Sequence, residues 1–182
     1  MTTYVALLRA VNVGGHNKIK MAELKRLFEE MGFGQVQTYI QSGNVLFTAT
    51  EEEQPLRQRV EGAIEATFSF PVTVVLRTAA ELQQLLAACP FASDALGEGE
   101  SLCVSLLADE PTQEGIERLL AYKAPFDEYR VLGREVFLLY RQRMSDSKLQ
   151  NNFLEQKLSV RSTARNWQTI TALAAKAREM EA

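Results

Sequence analysis

Two short polar stretches combine residue types that can hold an anion. The first, Asn12-Val13-Gly14-Gly15-His16-Asn17-Lys18, follows an apolar run at residues 4–8 and leads past Lys20 into a segment of helical period. Glycines let backbone N–H groups approach a ligand closely, and successive N–H groups can form a concave anion nest. The helix start ahead adds a dipole that favours negative charge, and Lys18 and Lys20 add positive charge. The second stretch, Ser42-Gly43-Asn44, separates two β-rich runs. A phosphate or a carboxylate is the guest such residues suit. They also have a plain structural use: Gly14-Gly15 can turn the chain, Asn12 can close an Asx-turn, and Ser-Gly-Asn is a common hairpin turn.

Other chemistries lack their residues. His16 is the one histidine, so a Ser-His-Asp triad could use only a residue in a glycine-rich loop. No Cys/His cluster has zinc spacing, and neither a Gly-x-x-x-x-Gly-Lys-Ser/Thr nor a Gly-x-Gly-x-x-Gly loop occurs. No metal and no cofactor are therefore expected. Cys89 and Cys103 have no Cys-x-x-Cys spacing, which fits a reducing cytoplasm, and Cys103 sits in an apolar strand-like run. No apolar run of about 18 residues is present, so no membrane span is expected.

The 182 residues carry a formal charge of −3, which gives no reason to expect a polyanion binder as a whole. The charge is unevenly spread. Residues 1–50 are +2, residues 51–133 are −9 and residues 134–182 are +4. Both polar stretches lie in the first of these segments.

The elements that must position them follow from periodicity. Residues 4–8 read as a buried strand; Met21, Leu24, Leu27, Phe28 and Met31 mark a helix closed by Gly32. Strands at 35–40 and 45–48 flank Ser42-Gly43-Asn44. Thr50 and Glu53 are spaced as a capping box for a helix with Leu56, Val60, Ile64 and Phe68, and residues 72–76 form a fourth strand. Thr78 and Glu81 open another helix. After the unstructured stretch 92–100 the order repeats: strand 102–107, a helix with Ile116, Leu119 and Leu120, strands 129–132 and 136–140 around Gly133, a helix with Leu149, Phe153, Leu154 and Leu158, and a short strand near 160–162. The expected fold is α+β, two tandem ferredoxin-like (βαββαβ) subdomains plus a C-terminal helix. The expected boundaries are 1–78, a connecting helix and linker at 79–100, 101–163, and 164–182.

In that order of elements the loop after the first strand and the hairpin between strands two and three emerge at one sheet edge. Asn12 to Lys18 would then lie beside Ser42-Gly43-Asn44. The matching loop of the second half, Asp109-Glu110-Pro111, is acidic and lacks glycine, and its hairpin at Gly133 is minimal. A third unusual stretch is residues 161–167, in which Ser162 or Thr163 can cap the last helix and Arg165 would fall in its first turn, against the dipole. A carboxylate, in the chain or in a ligand, would offset that mismatch. Arg165 and Asn166 would complete the anion site if they fold back to the same edge.

Three blocks, "YVALLRAVNVGGHNKIKMAELKRLFEEMGF", "TYIQSGNVLF" and "STARNWQTITAL", resemble the bacterial domain of unknown function 1697 family, nearly end to end. The resemblance implies a pair of ferredoxin-like subdomains in a cytoplasmic protein and brings no catalytic assignment. It adds Arg9 to the candidate residues, through a motif that falls on Arg9, Asn12, Val13, Gly14 and Gly15. Its other motifs fall on Ser42, Gly43 and Asn44 and on Thr163, Arg165, Asn166 and Trp167. The family's usual glycine after Arg9 is Ala10 here.

The first expectation is thus a small anionic ligand at Arg9, Asn12, Gly14, Gly15, Lys18, Lys20, Ser42, Gly43, Asn44, Arg165 and Asn166. Alternatives are a single-stranded nucleic-acid-binding module using the strand aromatics Tyr39, Phe47, Phe137 and Tyr140, an enzyme of unknown class with no visible nucleophile–base pair, or a structural or interaction protein. In that last case the polar blocks would bond to each other or to backbone. The oligomeric state is left open.

Overall fold

The strands at residues 2–8, 44–49, 74–78, 101–107 and 135–140 are buried almost continuously rather than at alternate residues, which is the signature of strands covered on both faces. A computed structural model describes residues 1–182 and contains two four-stranded antiparallel sheets and six helices. The elements are β1 (Thr2–Leu8), α1 (Met21–Glu30), β2 (Gly34–Thr38), β3 (Asn44–Ala49), α2 (Glu53–Phe68), β4 (Val74–Thr78), α3 (Ala79–Ala88), β5 (Ser101–Leu107), α4 (Gln113–Leu120), β6 (Glu128–Leu132), β7 (Glu135–Tyr140), α5 (Asn151–Leu158), β8 (Ser162–Asn166) and α6 (Trp167–Met180). No helix is long and apolar enough to cross a membrane.

The chain divides into two compact units, one of Met1–Gln84 with Ala172–Ala182 and one of Leu85–Thr171. The first sheet has strand order β2-β3-β1-β4 and the second β6-β7-β5-β8. In the first unit Tyr4, Ala6, Leu8, Val45 and Phe47 pack with Leu24, Phe28, Leu56, Val60 and Ile64 of α1 and α2. Val5, Leu7, Leu46 and Val75, on the other face, are buried too. In the second unit Cys103, Leu107, Leu138 and Tyr140 pack with Leu119, Leu154 and Leu158.

The two units repeat one backbone plan down to single hydrogen bonds. Leu8 N donates to Gly43 O at 2.8 Å, and Leu107 N to Arg134 O at 2.8 Å. Arg9 N donates to Thr73 O at 3.0 Å, and Ala108 N to Arg161 O at 2.8 Å. Glu61 accepts from Val74 N at 2.8 Å, and Glu155 from Ser162 N at 2.6 Å. Arg77 stands opposite Val5 as Arg165 stands opposite Val104. Each of these buried arginines donates to the carbonyl of the residue before it, Leu76 at 2.8 Å and Ala164 at 2.9 Å. The repeat is thus carried by backbone hydrogen bonds and register, and by the matched pairs Glu61 with Glu155 and Arg77 with Arg165.

Helix ends depart from the sequence expectation in two places. The N-cap of α2 is Glu52, with no side-chain cap, rather than Thr50. The last strand runs to Asn166, so α6 is capped by Asn166 Oδ1, which accepts from Thr169 N at 2.8 Å, and not by Ser162 or Thr163. Pairing with β5 from Cys103 to Leu107 holds residues 162–166 extended, and this ladder outweighs the capping propensity of the serine and threonine. The Thr78–Glu81 capping box is formed as expected: Glu81 N donates to Thr78 Oγ1 at 3.1 Å and Thr78 N to Glu81 at 2.8 Å.

Candidate functional site

One side chain ties the β1–α1 loop to the β2–β3 hairpin by hydrogen bonds. Asn12 Nδ2 donates to Ile19 O at 3.0 Å and to Gln41 O at 2.8 Å, while its Oδ1 accepts from Ile19 N at 2.8 Å. Asn12 N donates to Asn17 O at 3.1 Å. The residue sits at φ +58°, a left-handed conformation that asparagine tolerates better than most. One amide therefore closes the loop on itself and ties it to the hairpin.

Within the loop, Gly14 (φ +60°) and Gly15 (φ +78°) form the two central positions of a tight turn, with His16 N donating to Val13 O at 3.0 Å. Both positions need φ > 0, which is why glycines stand there. The hairpin is closed by Asn44, which is fully buried: its Nδ2 donates to Tyr39 O at 2.9 Å and to Ser42 Oγ at 2.8 Å. Gly43 is at φ +86°, and a Cβ there would stand 2.6 Å from Val11 Cγ2 and 2.9 Å from Leu8 Cβ. No other residue fits between the hairpin and the end of β1. Ile40, beside the Gln41 carbonyl, is drawn to φ +49°, so β2 stops at Thr38 instead of reaching residue 40.

Beside this frame lies an open cleft of about 560 Å³, lined by Asn12, Gly15, Lys18, Ile19, Lys20, Met21, Glu23 and Gln41. Lys18 and Lys20 are exposed at its wall, and Glu23 is in the first turn of α1. Lys20 is the N-cap of α1 and its side chain makes no capping hydrogen bond. The equivalent helix of the second unit is different. Thr112 caps α4, with Gly115 N donating to its Oγ1 at 3.0 Å.

Of the residues expected from sequence, Asn12, Gly14, Gly15, Lys18, Lys20, Ser42, Gly43 and Asn44 are brought together in the first unit. Arg9 is half-buried at the end of β1. Arg165 and Asn166 belong to the second unit. Arg165 is in β8 and not in a helix first turn, so the expected clash with a helix dipole does not arise. Its Nη1 donates to Thr163 Oγ1 at 2.9 Å, and burial pushes its pKa down to about 10, still protonated at neutral pH. Of the strand aromatics, Phe47, Phe137 and Tyr140 are in the cores and present no ring face for stacking. Tyr39 is half-buried with Lys176 Nζ 5.2 Å from its ring centroid. Gln41 and Glu23 line the cleft without being expected from sequence. Gln41 acts through its carbonyl, which any residue supplies, whereas Glu23 was legible as an acid in a first turn.

No group of three or more His, Cys, Asp or Glu side chains is arranged to hold a metal ion. Ala10 is at φ +58°, a conformation for which glycine is the unstrained choice.

Among solved structures the chain is similar to the conserved bacterial protein SP0830 from Streptococcus pneumoniae, with 21% identity, a TM-score of 0.78, and coverage of 98% of this chain and 99% of that one. At that identity the likeness speaks for the fold. No curated protein matches the chain. The family match covers residues 1–137 and so contains both the β1–α1 loop and the Ser-Gly-Asn hairpin, while the block at 163–167 lies beyond it. With three quarters of its length matched, the chain belongs to the family described as protein of unknown function, DUF1697.

Proposed function

We propose that the protein binds a small anion, phosphate- or carboxylate-bearing, in the cleft beside α1. The proposal includes a cytoplasmic setting and two tandem ferredoxin-like subdomains, 1–78 and 101–163, joined by 79–100 and followed by 164–182. The strand orders β2-β3-β1-β4 and β6-β7-β5-β8, each from a βαββαβ run, support the fold part.

The observation that carries the binding part is the contrast between two equivalent helix starts. In α4 a threonine hydroxyl covers a first-turn N–H. In α1 the same place holds Lys20, whose side chain caps nothing, and the helix opens on a cleft. The first-turn N–H groups of a helix have no partner within it. A bound anion would accept from them, with Lys18 and Lys20 supplying countercharge. Asn12, Ser42, Gly43 and Asn44 then serve as the frame, Gly14 and Gly15 shape the loop, and Arg9, Arg165 and Asn166 have no assigned ligand contact. Glu23 opposes the guest and selects against highly charged ones.

A thermal-shift screen with inorganic phosphate, nucleotides, sugar phosphates and small carboxylates tests this. A ligand at about a hundred times its Kd stabilises by about 2.7 kcal/mol. For a chain of 182 residues that is a Tm rise of roughly 5–11 °C. The rise should vanish in a K18Q/K20Q double variant and grow in E23Q. No rise with any anion, or an undiminished rise in K18Q/K20Q, contradicts the proposal.

A further inference from the structure

The second unit carries a separate surface in which aromatic rings and cations alternate. Helices α4 and α5 approach closely at Gly115, where a Cβ would stand 3.0 Å from Leu158 O. This brings Tyr122, just past α4, edge-to-face with Phe153 of α5, ring centroids 5.1 Å apart. Both rings are half-buried against the core below them. Each has a lysine over it: Lys148 Nζ lies 5.9 Å from the Tyr122 centroid, and Lys157 Nζ 5.6 Å from that of Phe153. Lys123 follows Tyr122 and is exposed.

Tyr122 also forms a wall of a cleft of about 250 Å³ that includes Leu120, Lys123 and Arg130. Two acids line the cleft, and both are occupied. Asp127 accepts from Arg141 N, Gln142 Nε2 and Ser147 Oγ. Glu128 pairs with Arg141 and, at 3.7 Å, with Arg130. Glu114, at the start of α4, pairs with Arg118 at 3.3 Å. Three lysines stand beside the two rings: Lys123, whose Nζ donates to Leu120 O at 3.1 Å, and Lys148 and Lys157 over the ring faces.

We infer that this α4–α5 face docks a single-stranded nucleic acid, its bases stacking on Tyr122 and Phe153 and its phosphates meeting Lys123, Lys148 and Lys157. Stacking rings interleaved with lysines are what an unpaired strand uses, since every base has a flat face and every nucleotide a charge. In such a complex Lys148 and Lys157, which lie over the rings in the free protein, move aside to the phosphates as bases take the ring faces. An acidic peptide would meet the lysines but leave the rings unused, and a duplex keeps its bases out of reach. The net charge of −3 makes the interaction local and weak.

The test is fluorescence anisotropy with a labelled single-stranded oligothymidylate and the full chain at low salt, repeated over a salt series. Three phosphate contacts give a log–log salt slope of about −2. K148Q and K157Q should each flatten it by about 0.7. F153L, which keeps apolar packing but removes the ring, should weaken binding roughly five- to hundredfold, with Tm showing that the variant is folded. K18Q/K20Q should bind the strand as the parent does, which separates this surface from the anion cleft. No binding at low salt, a flat salt response, or F153L and K157Q binding like the parent overturns the inference. So does equal binding of a polyglutamate peptide that is indifferent to F153L.

Discussion

Replacing Asn12 by aspartate changes one atom's chemistry and should loosen the whole candidate site. The Nδ2 group donates to Ile19 O at 3.0 Å and Gln41 O at 2.8 Å. In N12D a carboxylate oxygen would face the same two carbonyls, so two hydrogen bonds become two repulsive contacts. Losing the bonds costs about 0.5–1.5 kcal/mol each, and leaving the carbonyl of buried Ile19 without this donor adds to that. N12D should therefore lose about 2–4 kcal/mol at neutral pH. N12A loses all three side-chain bonds and places alanine at φ +58°, for a similar total of about 2–5 kcal/mol. The two variants separate with pH. Protonating the introduced carboxylate restores one donor, so folding favours the neutral acid and raises its pKa above the unfolded value of about 3.9. The N12D penalty is then full at pH 7 and shrinks as pH falls through the raised folded value, while the N12A penalty does not change through this group. Urea denaturation of both variants across that range measures it. An N12D protein within about 0.5 kcal/mol of the parent at neutral pH would refute the role given to this amide.

Other residues give sharper single tests. G43A meets both a disfavoured φ of +86° and a 2.6 Å approach to Val11 Cγ2, and should cost about 2–5 kcal/mol in chemical denaturation. A10G should stabilise by about 0.5–1 kcal/mol, because Ala10 is at φ +58°. K20S supplies α1 with the cap that Thr112 gives α4: it should raise stability by about 0.5–2 kcal/mol and weaken phosphate binding, a trade visible in parallel thermal and titration data. Burial pushes the Asp127 carboxyl up, but hydrogen bonds from Arg141 N, Gln142 and Ser147 and the Arg141 charge outweigh it and hold the pKa below the usual value. Its contribution is thus present above about pH 3.9 and lost as pH falls through the lower folded value. D127N should be less stable at neutral pH and flatten the acid limb of a stability–pH profile.

Much of the architecture was legible because each helix carries its own period. Leu24, Leu27 and Phe28 of α1 and Leu56, Val60 and Ile64 of α2 belong to the core by spacing alone, and they are buried. The strand ends were less legible. Ile40 reads as strand by its β-branched side chain, yet the bond from Asn12 to Gln41 O and those closing at Asn44 bend the chain out of the sheet there. Ser162 and Thr163 read as caps, and the ladder to β5 claims them. These are tertiary hydrogen bonds with no local pattern. For the candidate site, both polar stretches and their adjacency follow from residue types and element order. Sequence could not tell that Asn12 and Asn44 use their amides on the frame while the lysines face a cleft, since either use needs the same residue types. Of the repeat between the units, the element order was visible, whereas backbone bonds such as Leu8 N to Gly43 O and Leu107 N to Arg134 O, and the match of Glu61 with Glu155 and of Arg77 with Arg165, emerge only from the register of the folded strands.

The most direct test of anion binding is an amide NMR titration of the full chain with inorganic phosphate. Saturable shifts are expected, confined to the loop and first turn of α1 from Gly14 to Glu23, and they should disappear in K18Q/K20Q. Shifts that fail to saturate, that fall elsewhere, or that persist in K18Q/K20Q would contradict anion binding in the cleft.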